Sequence, residues 1–329
     1  MILNSLVSAF NSDHNKKLER LIFDAVYVTE SAAVACYPMI GKGDEKEADQ
    51  QAVNAMRAAL NKISISGKIV IGEGERDEAP MLYIGEEVGC GDGPSVDIAV
   101  DPLEGTTLCA HAAPNSIAVM AMGESGTLLN APDVYMDKIA VGIKNFPKDA
   151  LSLDNTPGMN LKEIARFKNC DISELSVMIL NRPRHQELIA KVREAGARVM
   201  LIKDGDVAAS IATTSSKAGI DAYMGIGGAP EGVLAAAALK VCGGHFLGRL
   251  LFSNEEQQER LKTMGTDDFN KQYTLDEMVK GDVIFVATGV TTGSMLKGIT
   301  KTRDYIKTHS IVMHYETKTI RNIHNKIYL

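Results

Sequence analysis

Cysteine is scarce in this chain of 329 residues. The five present, Cys36, Cys90, Cys109, Cys170 and Cys242, are odd in number, scattered and never spaced as Cys-x-x-Cys. That pattern excludes a disulfide framework and a structural zinc site, and it fits a reducing cytoplasm. Long apolar runs are missing as well. Even Gly232 to Cys242 is broken by Lys240 and followed by Gly243 and Gly244, well short of the roughly 20 residues that span a bilayer. Met1 to Phe10 has no basic n-region and meets Asp13 and His14 rather than a small-residue cleavage site, so it reads as an arm and not as a signal peptide. Positive charge is in deficit, with 35 basic against 42 acidic residues and a net charge of -7. Such a chain has no field for capturing a nucleic acid backbone or an anionic membrane.

What is present is a hydrophobic fraction of 45% over a length that favours two lobes over one core. Strand-like runs alternate with helical patterns from Lys16 to about Gly298, the signature of a layered α/β architecture without internal repeats. The runs Lys68–Ile71, Val96–Val100, Ile117–Met122 and Lys138–Val141 come first. Leu175–Leu180, Arg198–Ile202, Ala222–Ile226, His245–Phe252 and Val283–Ala287 follow, with helices such as Arg184–Ala195 and Glu231–Val241 between them. Pro147, Pro157 and Gly158 make Lys144 to Gly158 the linker candidate. The expected lobes are therefore 1–150 and 151–329.

Acidic residues collect in three places. Asp44 is placed to cap a helix in a capping box with Glu47, and Asp49 lies four, seven and eleven residues before Val53, Met56 and Leu60. Its carboxylate therefore points inward and needs a proton, an arginine or a metal, unless it is an early-turn acid favoured by the helix dipole. Lys68-Ile-Val-Ile-Gly-Glu-Gly-Glu75 is a strand that presents Glu73 at its carboxyl end, where α/β sheets gather ligands. Read alone, it favours a surface acidic turn. Its Gly-x-Gly is not a dinucleotide fingerprint, since Glu73, Glu75, Asp77 and Glu78 would repel a pyrophosphate and no third glycine follows. Val96-Asp-Ile-Ala-Val-Asp101-Pro-Leu-Glu104-Gly105-Thr106 is the most informative: a buried strand, then a tight turn that offers Asp101, the Leu103 carbonyl and Glu104 to hard cations such as magnesium or manganese. The plainer alternative is a capped turn before a helix.

Anion-binding features lie further on. Gly225-Ile-Gly-Gly-Ala-Pro-Glu231 follows a strand and opens an alanine-rich helix, where glycine amides accept an anion. Glu231 by itself reads as a dipole-compensating acid. Arg182-Pro183-Arg184 pairs two guanidinium groups at a strand end, suited to phosphate if not simply solvated. Asp206 is a helix N-cap candidate, Tyr135 a core-edge residue, and His111 and His185 structural histidines.

These blocks together resemble the lithium-sensitive inositol monophosphatase and fructose-bisphosphatase superfamily, whose motif is Asp-Pro-(Ile/Leu)-(Asp/Glu)-Gly-(Thr/Ser) with an upstream glutamate. Within it the resemblance is to class II fructose-1,6-bisphosphatases. It runs from Val28-Thr-Glu-Ser-Ala-Ala33 to about Ile323 and includes Asn130-Ala-Pro-Asp-Val-Tyr135, Asp204-Gly-Asp-Val-Ala-Ala-Ser210 and Gly225–Gly232. The resemblance implies a layered α-β-α-β-α sandwich and hydrolysis of the 1-phosphate of fructose 1,6-bisphosphate in gluconeogenesis. It also implies a cytoplasmic homo-oligomer, dimer or tetramer, with two or more magnesium or manganese ions per site. Metal ligands would be Asp49, Glu73, Asp101, Glu104 and Glu231. Thr106, Asp77 and Glu104 would be catalytic, and Gly105, Thr106, Tyr135, Arg182, Arg184, Asp204, Asp206 and Gly228 would hold the substrate, with the two arginines on its distal phosphate.

Departures from the pattern bear on substrate preference: Asp44-Glu45-Lys46 stands for Gly-Asp-Lys, Thr107–Asn115 is unusual, and Lys203 replaces a frequent proline. The rivals are the same chemistry on sedoheptulose 1,7-bisphosphate or an inositol phosphate, a nucleotide-binding oxidoreductase, and a non-catalytic metal-binding relative.

Overall fold

A computed structural model describes residues 18–74, 81–252, 257 and 268–329. In chain order, helices α1 (Ile22–Cys36) and α2 (Glu45–Leu60) precede strands β1 (Ser66–Ile71), β2 (Glu87–Val88) and β3 (Ser95–Glu104). Helix α3 (Thr106–Ala110) leads to β4 (Ile117–Glu124) and β5 (Tyr135–Val141). Next come α4 (Pro157–Lys168), β6 (Ser176–Leu180), α5 (Gln186–Glu194), β7 (Arg198–Ile202), α6 (Asp206–Ala212), β8 (Ala222–Gly228) and α7 (Ala229–Cys242). Strands β9 (His245–Leu251) and β10 (Tyr273–Thr274) and the short helix α8 (Leu275–Met278) follow. The chain closes with β11 (Val283–Gly289), β12 (Thr300–Lys301), β13 (Tyr305–His314) and β14 (Thr319–Tyr328).

Two mixed sheets form. The first runs β12-β13-β11-β4-β3-β1-β2 with β14 on the outer side of β13, and the second runs β10-β9-β5-β8-β6-β7. Strand alternation sorts the first sheet's side chains. Ile98, Val100, Met120, Met122, Ile284 and Val286 pack with α1 and α2 on one face. Ala99, Val119, Ala121, Phe285 and Ala287 turn to the other face, where they meet α7 and Met136, Ala140 and Phe246 of the second sheet. Ile139, Val177, Ile179 and Met224 cover the far side of that sheet beneath α4 and α5. The order is helix, sheet, helix, sheet, helix, the five-layered α/β sandwich expected from the resemblance. Helix α7 is buried all round from Gly232 to Leu239, the mark of a helix enclosed in a core. Its alanines let two sheets share one thin layer.

The chain does not divide between sheets at residue 150. β5 lies before that point yet belongs to the second sheet, and β11 to β14 return to the first. The proline-rich stretch after β5 is not a free linker either. Phe146 and Leu151 are buried in the second sheet's outer core, and Gln272 accepts the Leu153 amide at 2.8 Å. The last hairpin, β13 and β14, escapes sequence reading because Ile320, Ile323 and Ile327 recur at helical intervals, while β14 is a polar edge strand. No helix among the described residues is long and apolar enough to cross a membrane.

Candidate active site

The acidic segments meet at one end of the sandwich. Asp44 caps α2 by accepting the Glu47 amide at 3.0 Å. Glu47 does not complete a capping box; its carboxylate accepts from Gln51 at 2.7 Å. The helix buries Val53, Met56 and Leu60, and Asp49 on the same stripe reaches a cavity of about 290 Å³. Glu73 arrives there just past β1.

β3 does not turn at Asp101. It continues as strand to Glu104, with its register against β4 broken between these two residues. A bulge of this kind re-aims side chains, and both Asp101 and Glu104 line the cavity. Asp101 Oδ1 accepts the Leu103 amide at 3.1 Å. Gly105 then takes φ 77°, a left-handed conformation suited to glycine, before Thr106 opens α3. The Thr106 hydroxyl donates to the Leu103 carbonyl at 3.0 Å. The opposite wall comes from Asp133, Asp204 and Asp206, and from Glu231 in the first turn of α7. Gly228 leaves space for the Glu231 carboxylate: a Cβ there would lie 2.0 Å from Glu231 Oε2.

Eight carboxylates line this cavity and, among the described residues, no basic side chain does. Glu104 Oε1 accepts the Val207 amide at 3.0 Å, but Glu104 Oε2 and Glu231 Oε2 are buried with no hydrogen-bond partner. Burial first, and then repulsion from Asp49, Glu231 and Asp133, pushes Glu73 up to about 8. Burial and Asp206 push Glu231 to about 7, with Lys138 opposing. Asp101 and Glu104 are driven well above the carboxylate range by burial and by neighbouring acids. Burial also raises Asp49.

Orphaned carboxylate oxygens in a wall of like charge are what hard divalent cations satisfy, so the residues fit such ions. Among the described residues no three acidic, histidine or cysteine side chains are already drawn together on one point.

Three of the other expected residues, Arg184, Tyr135 and Arg182, lie beside this wall. Arg184 donates through Nε and Nη2 to the Ile226 carbonyl, at 3.1 and 2.9 Å, and its guanidinium sits 4.8 Å from the centre of the Tyr135 ring. Arg182 Nη2 lies 3.9 Å from Asp204 Oδ1. Asp206 is not an N-cap; Gly205 holds that place. Its Oδ2 meets the Lys138 ammonium at 2.6 Å and accepts from the Tyr223 hydroxyl at 3.3 Å. Asp77 lies outside the described residues. His185 is structural: it is buried, Nε2 accepts the Ile226 amide at 2.7 Å and Nδ1 donates to the Leu180 carbonyl.

Two residues of this end receive no role in the sequence reading. Asp133 had a faint signal, an acid after proline just before a strand. Lys138 had a clearer one, a charge on the same strand face as the apolar Met136 and Ala140.

Residues 19–327 match the family described as bacterial fructose-1,6-bisphosphatase, glpX-encoded. A relative from Escherichia coli K12, named fructose-1,6-bisphosphatase 1 class 2, is 47% identical over 316 residues, covering 92% of this chain and 93% of its own. One from Trichodesmium erythraeum, named D-fructose 1,6-bisphosphatase class 2/sedoheptulose 1,7-bisphosphatase, is 44% identical over 323 residues, covering 91% and 93%. A solved inositol monophosphatase from Anabaena aligns over 60% of this chain and 72% of its own at 15% identity, with a TM-score of 0.31, too slight a likeness to inform on the site.

Proposed function

The chain belongs to the glpX-encoded family of bacterial fructose-1,6-bisphosphatases, and from that premise we propose that its reaction takes place in the eight-carboxylate cavity. The activity is phosphoric monoester hydrolysis, of fructose 1,6-bisphosphate to fructose 6-phosphate and phosphate. The observation that carries the assignment of the cavity is the pair of buried, unpartnered oxygens on Glu104 and Glu231 within a wall of acids. An anionic ester cannot enter such a wall unless cations neutralise it.

Asp49, Glu73, Asp101, Glu104 and Glu231 would hold magnesium or manganese. Such ions, when bound, lower the pKa of a coordinated water and neutralise charge on the phosphate and leaving oxygens. The chain's own groups supply the orientation. Thr106 gives its proton to the Leu103 carbonyl, so its oxygen keeps lone pairs for a hydrogen bond from the attacking water. Water so held attacks phosphorus in line with the departing sugar oxygen, and no covalent phosphoenzyme is needed. Arg182 and Arg184 receive the phosphate that is not cleaved. Arg184 is preset for this by the Ile226 carbonyl and the Tyr135 ring. Asp204 and Asp206 face the sugar hydroxyls; with Asp206 Oδ2 occupied, its contact falls to Oδ1.

Phosphate release from fructose 1,6-bisphosphate, measured with and without manganese after chelator treatment, tests this reading. Undiminished turnover in chelator would sink it. Sedoheptulose 1,7-bisphosphate belongs in the same assay, since a relative's name pairs the two activities. Five free cysteines, none paired in a disulfide, suit the cytoplasm in which this reaction is placed.

A further inference from the structure

Lys138 is a lysine where none is expected. It projects from β5 into the layer between the sheets, its side chain is 1% exposed, and its ammonium lies 2.6 Å from Asp206 Oδ2. Buried ammonium groups are costly unless paired. The surroundings leave space for it: a Cβ on Gly227 would lie 3.0 Å from its Nζ. The same Cβ on Gly227 would lie 2.2 Å from Asp206 Oδ2. Gly227, at the end of β8, thus leaves room for the ion pair at the acidic wall.

The pair bears on the cavity from its wall: Asp206 is part of the lining and Lys138 stands behind it. Asp206 is the acid pressing hardest on both Glu104 and Glu231, while Lys138 acts on Glu231 in the opposite sense. Both glutamates carry an orphaned oxygen. We propose that Lys138 is a positioning residue, a built-in cation that cancels Asp206 and so sets how strongly the Glu104 and Glu231 side of the cavity draws divalent ions. This rests on the metal-site reading above. With Lys138 present, Asp206 is held as a neutralised neighbour, and the wall attracts only the ions that its other carboxylates call for.

The signs follow from Coulomb's law. Removing Lys138 leaves an uncancelled negative charge beside Glu231 and strengthens cation binding. Removing the Asp206 charge leaves an uncancelled positive one and weakens it. Removing both restores the balance. Manganese binding to the full-length protein, stripped of metal and followed by calorimetry and by the electron paramagnetic resonance of free Mn²⁺, tests this without reference to turnover. Lys138→Met should bind Mn²⁺ roughly tenfold more tightly or take up an additional ion, and Asp206→Asn should bind it roughly tenfold more weakly. The double variant Lys138→Met/Asp206→Asn should return to within about threefold of the parent. If both single variants weaken binding and the double is no better, the pair is packing only and the proposal falls. Should Lys138→Met fail to fold, Asp206→Asn and the double variant still decide, since recovery in the double cannot come from a structural defect. A parent protein that binds no Mn²⁺ would overturn the metal site itself, an outcome distinct from any reordering among the variants.

Discussion

Glu104 Oε1 accepts the backbone amide of Val207 at 3.0 Å. The bond ties the end of β3 to the first turn of α6, so that residues 103 positions apart in the chain share one carboxylate, while the other oxygen of that carboxylate is left for the cavity.

Replacing the acid at this point should separate chemistry from folding. Glu104→Gln and Asp101→Asn keep side-chain size and remove a ligand charge, so turnover should fall by at least about a thousandfold. The metal-free variants should also melt higher than the metal-free parent, because each removes an acid whose ionisation the fold opposes through burial and neighbouring carboxylates. Phosphate release and thermal melts in chelator check both expectations, and near-parental turnover would remove these residues from the metal site.

Thr106→Ala should lower kcat by roughly a hundredfold and change KM little, since a hydroxyl that orients water acts mainly in the transition state. Thr106→Ser keeps the hydroxyl and should recover most of the rate. Steady-state kinetics on the three proteins decide whether Thr106 is more than a turn residue bonded to Leu103.

Glu73, pushed up to about 8 by burial and neighbouring acids, and Glu231, pushed to about 7, make the metal-free protein pH-sensitive in a definite direction. Both are raised above their unfolded values, so the folded chain holds more protons than the unfolded one between about pH 5 and 8. Stability without metal is therefore highest at the acidic end of this window and falls as pH rises. Manganese should flatten the slope and release protons on binding at pH 7. Melting curves across this range with chelator and with Mn²⁺, together with titrations in buffers of different ionisation enthalpy, check it; a chelator curve that rises with pH would contradict it.

Arg184→Ala should raise KM for fructose 1,6-bisphosphate by roughly ten- to a hundredfold, the loss of a charge-assisted fork worth about 1.5–3 kcal/mol. A sugar monophosphate should be affected much less. Arg184→Lys should behave like the alanine variant, because an ammonium cannot both hold the Ile226 carbonyl with two donors and stack on Tyr135. Equal damage with both substrates would place the arginine at the reacting phosphate or in the fold.

Much of this site is legible in the sequence because strands announce it. Asp101 and Glu104 end a run of buried β residues, and Asp49 rides an apolar stripe, so period alone turns them inward. Glu231 is different. An acid in a first helical turn is ordinary, and only the resemblance marks it out; the structure adds the reason, a glycine at 228 that leaves room for its carboxylate to fold back. Lys138 and Asp133 acquire meaning from β5 lying between β8 and β9, pairings that join distant segments and leave no local trace. The division of the chain between the sheets is hidden for the same reason. No turn signal tells that β5 joins the second sheet or that β11 comes home to the first.

Helix α7 has its first turn in the acidic wall and its body locked between two sheets, whereas Tyr135 is half exposed at the rim and carries Arg184 over its ring. Change can therefore accumulate unevenly. A substitution along α7 should be felt in both sheets at once, while one at the rim should leave both sheets undisturbed. The molecule is in this sense divided between a helix that resists revision and a rim open to it.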